Sequence, residues 1–254
     1  MMKRPIIKVR HSDATPDGGS TSRRKFLKLG GLALAGGSLL LYSCDEEELS
    51  KQEDILGRDA NGGDAFNLGT GDLAILNYAY ILEQLEAAFY TRVLDGSYWA
   101  SADPVEKLYL KDLQAHEVIH REFFKAVLSA TFSSEEVAPD LEFDFSTIDF
   151  SDRDSVLGTS IVLEDTGVSA YNGAGDLIEN PAYLVAAGKI VSVEARHASA
   201  LRSIYLPGFT EFAGDDIIDE NGLDLVAEPK DVLDTVVSTG FIENELIYNN
   251  IPNG

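Results

Sequence analysis

The chain has 254 residues, of which 43 are acidic and 20 basic, giving a net charge of −23. That balance excludes a nucleic-acid partner, because no basic stripe is available to displace the counterions of a phosphate backbone. A single cysteine excludes a disulfide framework within the chain, and with only four histidines their positions are informative.

At the amino terminus, Thr21-Ser22-Arg23-Arg24-Lys25-Phe26-Leu27-Lys28 precedes an uncharged, Gly- and Leu-rich stretch from Leu29 to Tyr42. The stretch is too short for a permanent membrane span and reads as the apolar core of an export signal. Arg23 and Arg24 make the signal similar to the twin-arginine type, which carries proteins already folded, often around a cofactor. Leu41-Tyr42-Ser43-Cys44 resembles a lipobox, with Tyr42 bulkier than usual at its position. Cleavage there would make Cys44 the lipidated first residue, anchored to a membrane of the cell envelope, periplasmic or at the cell surface; the other reading of Cys44 is an ordinary buried thiol. Residues 1–44 then form a signal peptide. Their removal takes away eight basic and two acidic residues, leaving 12 basic and 41 acidic, a net charge of about −29. Such a field draws cations, metal ions included, towards the surface. Residues 45–70 open with Asp45-Glu46-Glu47-Glu48 and lack apolar periodicity, so they read as an acidic disordered tether. The acidic run is compatible with a surface-display signal or with a plain solvated spacer.

Four long helices follow in residues 71–206. Leu73, Leu76, Ala79, Tyr80, Glu83, Ala87 and Tyr90 recur at three and four spacing and place the first helix at Asp72–Leu94, ended by Gly96. Asp103-Pro104, with Glu106 as capping-box partner, starts a second helix that runs to Ala130. Residues 131–151 form a long crossover containing Phe143, Phe145 and Phe150. The third helix runs from Ser151 or Asp152 to Leu177, with Gly167 marking a close contact because glycine costs helix propensity of about 1 kcal/mol relative to alanine. The fourth starts at Asn180-Pro181 and ends before Pro207. In the extension 207–254, Gly208 to Glu228 reads as an acidic surface loop, and Glu228-Pro229-Lys230-Asp231 opens a short apolar helix, Val232 to Phe241, packed on the bundle. The expected fold is therefore all-α: a four-helix bundle with one long crossover and a short C-terminal helix.

The chemistry lies in a repeated pattern. Glu-x-x-His occurs at Glu117/His120 and again at Glu194/His197, and each is preceded by Glu-x6-Tyr, at Glu83/Tyr90 and Glu164/Tyr171. Glu83 to Glu117 spans 34 residues and Glu164 to Glu194 spans 30, so each half is a helical hairpin with Glu on its first helix and Glu-x-x-His on its second. Ile81-Leu82-Glu83 to Phe89-Tyr90 aligns without a gap on Val162-Leu163-Glu164 to Ala170-Tyr171, which makes the bundle a duplicated hairpin. Residues three apart in a helix share a face, so each Glu-x-x-His pair can reach one ion. Two pairs with one more Glu from each remaining helix offer six ligands to two ions, and carboxylate with imidazole suits iron or manganese. Surface i,i+3 pairs are the alternative reading of any single pair, but not of both with their upstream partners. Glu86 rivals Glu83 as the first-helix ligand; the repeat favours Glu83, since Gly167 stands at the position equivalent to Glu86. His116 corresponds to Val193 in the repeat and reads as a rim or supporting residue. Tyr90 and Tyr171 are either core filler or phenols that hydrogen-bond a ligand carboxylate.

Those motifs, Leu-Glu-x-Leu-Glu-x2-Phe-Tyr at 82–90, Glu-x2-His at 117–120, Leu-Glu-Asp-x-Gly-x2-Ala-Tyr at 163–171 and Glu-x-Arg-His at 194–197, resemble the ferritin-like domain of bacterial secreted, desiccation-related proteins over about Leu73 to Tyr205. The resemblance implies a ferritin-like bundle and matches Glu83, Glu117, His120, Glu164, Glu194 and His197 to the six superfamily ligands, without a specific reaction. Two functions are compatible with it. One is a di-iron or di-manganese oxidase, peroxidase or catalase-like protein acting on oxygen or peroxide at the metal site itself. The other is a non-catalytic, envelope-anchored structural or metal-binding protein. No Gly-rich phosphate loop or Ser-His-Asp arrangement competes with these readings, and nothing in the sequence indicates an oligomeric state.

Overall fold

The computed structural model describes residues 65–205, 212–214 and 216–253. Arg23, Arg24, Cys44 and the tether as far as residue 64 lie outside the described residues. In chain order the elements are β1 (Phe66–Asn67), α1 (Gly71–Asp95), α2 (Ser97–Ser101), α3 (Pro104–Thr131), α4 (Arg153–Gly175), α5 (Pro181–Tyr205), α6 (Pro229–Ser238) and β2 (Leu246–Ile247). The four long helices α1, α3, α4 and α5 make an all-α four-helix bundle with one long crossover. Their most extensive packing is α1 on α3 and α4 on α5, within the two hairpins; narrower α1–α4 and α3–α5 contacts close the square.

Local signals explain most helix ends. Gly96 accepts the C-cap of α1, its N–H bonding the Val93 carbonyl, and a Cβ there would lie 2.8 Å from the Phe150 carbonyl oxygen. Asp103 caps α3 by accepting from the Val105 N–H, with Pro104 in the first turn, and Asp152 caps α4 by accepting from the Ser155 N–H. Glu106 does not complete a capping box as expected from its spacing. Its carboxylate instead accepts from the Tyr98 hydroxyl at 2.6 Å and from Arg153 Nε at 2.8 Å, because the short helix α2 and the start of α4 bring stronger donors to it. Helix α4 ends at Gly175 rather than Leu177. Helix α6 starts at Pro229, in the Glu228-Pro229-Lys230-Asp231 run that opens it, and ends at Ser238 rather than Phe241, since Gly240, at φ +72, turns the chain out of the helix.

The crossover is strapped along α1. Asn77 donates to the carbonyls of Leu68 and Glu136 and accepts from the Ala138 N–H. Two turns further on, Gln84 donates to the Pro139 carbonyl and accepts from the Leu141 N–H. Phe89 then meets Phe145 and Phe150 edge-on or tilted. The connection therefore runs the length of α1 and delivers α4 antiparallel to it. With the bundle on one side and the crossover on the other, α1 is buried nearly all round. The end of the segment read as a disordered tether is ordered: Phe66–Asn67 pairs in parallel with Leu246–Ile247, and Leu68 is fully buried. The C-terminal extension supplies the partner strand, which the sequence pattern of 45–70 alone does not show.

Replacing Asn77 with Ala strands two carbonyls and one N–H at the start of the crossover. The expected cost is about 3 kcal/mol of unfolding free energy, measured by urea denaturation at unchanged m-value; a cost under about 1 kcal/mol would mean that water takes over these bonds.

Candidate metal centre

Each long helix contributes to one polar cluster at mid-bundle. Glu83 comes from α1, Glu117 and His120 from α3, Glu164 from α4, and Glu194 and His197 from α5. The four carboxylates are fully buried, and His120 and His197 are nearly so. The six side chains form two groups that could each hold a metal ion: Glu83, Glu117, His120 and Glu194 in one, and Glu117, Glu164, Glu194 and His197 in the other. Within each group the ligand atoms lie within 4.8 Å of one another. Glu117 and Glu194 belong to both groups, so they stand between the two positions.

The imidazoles face inward through Nδ1. His120 Nδ1 lies 2.9 Å from Glu194 Oε1, 3.1 Å from Glu117 Oε2 and 3.4 Å from Glu83 Oε2. His197 Nδ1 lies 2.9 Å from Glu117 Oε1 and 3.2 Å from both Glu164 Oε2 and Glu194 Oε2. One nitrogen offers one hydrogen, so three oxygens around it cannot all be satisfied. Glu83 Oε2, Glu117 Oε1 and Glu194 Oε1 are accordingly buried without a hydrogen bond, although an imidazole nitrogen is near each. Buried carboxylate oxygens without donors are costly unless a cation completes them. The donor set therefore fits bound metal ions.

Electrostatics agree. Burial pushes the Glu83 carboxyl up to about 8, against the pull of His120, and holds Glu164 well above the usual carboxylate range. For Glu117 burial also raises the pKa, but the hydrogen bonds and charges of His120 and His197 together outweigh it and bring the carboxyl to about 2. Burial lowers the two imidazoles, yet the surrounding carboxylates, Glu83 first for His120 and Glu164 first for His197, hold His120 far above its ordinary value and push His197 up to about 12. The surrounding carboxylates thus favour the charged form of both imidazoles.

The supporting residues have defined places. Tyr90 on α1 donates to Glu164 Oε1 on α4 at 2.6 Å, and Tyr171 on α4 donates to Glu83 Oε1 on α1 through a short hydrogen bond. Sequence spacing puts each tyrosine two turns from the Glu of its own helix; the fold gives it the Glu of the other hairpin instead, so the two phenols cross-link the halves. Burial, then the carboxylate each contacts, raises both phenols well above their usual range, so they stay donors. His116 Nδ1 lies 2.8 Å from His197 Nε2, with the rings stacked at 5.0 Å between centroids. Burial, then the charge of His197, lowers the His116 pKa, which leaves a neutral ring able to accept at Nδ1. Glu86 is in neither ligand group. It is 4% exposed, makes no hydrogen bond or ion pair among the described residues, and lies against Gly167, where a Cβ would stand 3.3 Å from Glu86 Oε1. The close contact expected at Gly167 is thus with a carboxyl rather than with a helix backbone. The ion pairs of Arg153 with Glu106, and of Arg202 with Asp165 and Asp216, are polar links that the motif spacing does not signal.

A family model described as a ferritin-like domain matches residues 71–206. Among curated proteins no match is found.

A ligand that binds only the folded state stabilises it by about 2.7 kcal/mol at a concentration of 100 times its Kd. Addition of Mn2+ or anaerobic Fe2+ to chelator-treated protein is therefore expected to raise the thermal midpoint by several degrees, read by scanning calorimetry. Glu117→Gln, which removes a carboxylate charge common to both groups, is expected to abolish most of the rise; an equal rise in wild type and variant would place the cation elsewhere.

Proposed function

The chain belongs to the ferritin-like family, and from that footing we propose that it is an exported protein that holds two iron or manganese ions in its bundle and reacts there with oxygen or peroxide. The observation that carries the reading is the pair of buried ligand groups sharing Glu117 and Glu194. Four carboxylates and two divalent cations balance in charge, which resolves the buried oxygens left without donors. Such a pair of ions, when bound, supplies redox chemistry towards oxygen or peroxide. Glu83 and His120 would complete one position, and Glu164 and His197 the other. Tyr90 and Tyr171 fix the orientation of Glu164 and Glu83 and so keep those carboxylates aimed inward. Complete burial of the four carboxylates excludes bulk water from the centre.

Export and anchoring rest on the sequence of residues 1–44. Arg23-Arg24 and Cys44 support passage across a membrane in the folded state, followed by lipid attachment. A folded-state route suits a protein that takes up its metal before export. Cys44→Ala is expected to move the protein from the membrane fraction to the soluble fraction of the producing cell; retention in the membrane fraction would remove the lipid anchor from the reading.

Elemental analysis tests the centre. Protein purified without chelator is expected to contain about two equivalents of iron or manganese, with Glu117→Ala and Glu194→Ala each losing most of it. The metal-loaded protein is then expected to consume hydrogen peroxide or oxygen in a metal-dependent way. Full metal content without turnover of either would leave the second reading, an envelope-anchored, non-catalytic protein of the desiccation-related kind whose metal stabilises the bundle.

A further inference from the structure

The duplication makes the two halves of the centre equivalent, and the chain departs from it at two places, one of which contacts a ligand residue directly. The first is His116, whose repeat equivalent is Val193. A histidine that ligates through Nδ1 must carry its hydrogen on Nε2, and a fixed acceptor for that hydrogen holds both the tautomer and the ring. His116 Nδ1 provides the acceptor for His197, at 2.8 Å, and its ring stacks on the His197 ring. Among the described residues no side chain does the same for His120. The second is Glu86, whose repeat equivalent is Gly167. The absent side chain at Gly167, one turn after Glu164, leaves the space into which the Glu86 carboxyl fits. Glu86 thus adds a carboxyl on the α1–α4 side, outside both ligand groups.

We propose that the two cation positions are unequal: the one framed by Glu117, Glu164, Glu194 and His197 fills first and holds its ion more tightly, with His116 as the positioning residue chiefly responsible. This rests on the two-ion reading given above. An imidazole whose Nε2 hydrogen has a fixed acceptor is held in the ligating tautomer and loses little freedom when the ion arrives, whereas His120 is placed only through its Nδ1 contacts with the carboxylates.

The test is an anaerobic titration of the metal-free, full-length chain with Co2+, followed by visible absorption and by competition with a chelator of known affinity. Wild type is expected to bind in two steps separated by at least about tenfold in dissociation constant. His116→Phe, which keeps a stacked ring but has no acceptor, is expected to weaken the first step by about 10- to 100-fold and leave the second within about twofold. His116→Gln, whose amide oxygen can accept from Nε2, is expected to stay within about threefold of wild type. Glu164→Gln is expected to remove the tight step, and Glu83→Gln only the weak one; circular dichroism confirms that each variant is folded. Equal constants in wild type, a tight step that survives Glu164→Gln, or a His116→Phe titration like that of wild type would each overturn the inference while leaving the dinuclear reading intact. A folded wild-type chain that binds no Co2+ would overturn the dinuclear reading as well.

Discussion

Four carboxylates packed at zero exposure in the middle of a helical bundle are the constraint around which the rest of the molecule is arranged. Like charges at that distance in a low-dielectric interior repel strongly, and isolated they would take up protons or open the fold. Three devices hold them in place. Two inward-facing imidazoles supply positive charge, two phenols donate from the opposite hairpin, and three carboxylate oxygens remain open for a cation. The last of these ties the structure to its ligand. A core with buried oxygens of this kind gains stability from any cation that completes them.

The crossed tyrosines show how duplication was turned into one centre rather than two. In an isolated hairpin, Tyr90 would have only its own α1 glutamate to address, two turns away along the helix. In the bundle it reaches Glu164, and Tyr171 reaches Glu83, so neither half can satisfy its buried polar groups alone. The departures from symmetry, His116 and Glu86, add side chains where the partner half has Val193 and Gly167. They lie on opposite faces of the square, His116 between α3 and α5 and Glu86 between α1 and α4.

Much of this is legible in the sequence because helix periodicity converts spacing into position. Glu83, Glu117, His120, Glu164, Glu194 and His197 can be chosen from the repeat alone, and the helix starts at Pro104 and Pro181 are marked by proline and its preceding cap residue. What spacing does not reveal is anything decided between segments distant in the chain. The cross-hairpin direction of the tyrosine hydrogen bonds, the diversion of Glu106 to Arg153 and the ordering of Phe66–Asn67 by Leu246–Ile247 all depend on where the crossover and the C-terminal extension come to rest. The short helix Ser97–Ser101 is hidden for a related reason: five residues give too little periodicity to separate a turn from a helix.

The strapping of the crossover onto α1 makes the bundle wall unequal in thickness. On the α1 side, Asn77, Gln84 and the cluster of Phe89, Phe145 and Phe150 place a second layer of chain over the helix, whereas the outer faces of α3 and α5 meet solvent directly. Sub-global opening follows the weaker wall. Amide hydrogens of α1 would therefore be the last to exchange, and those on the outer faces of α3 and α5 would exchange through lower-energy openings. Since α3 and α5 carry both Glu-x-x-His pairs, the thinner wall lies on the side that holds the two histidines.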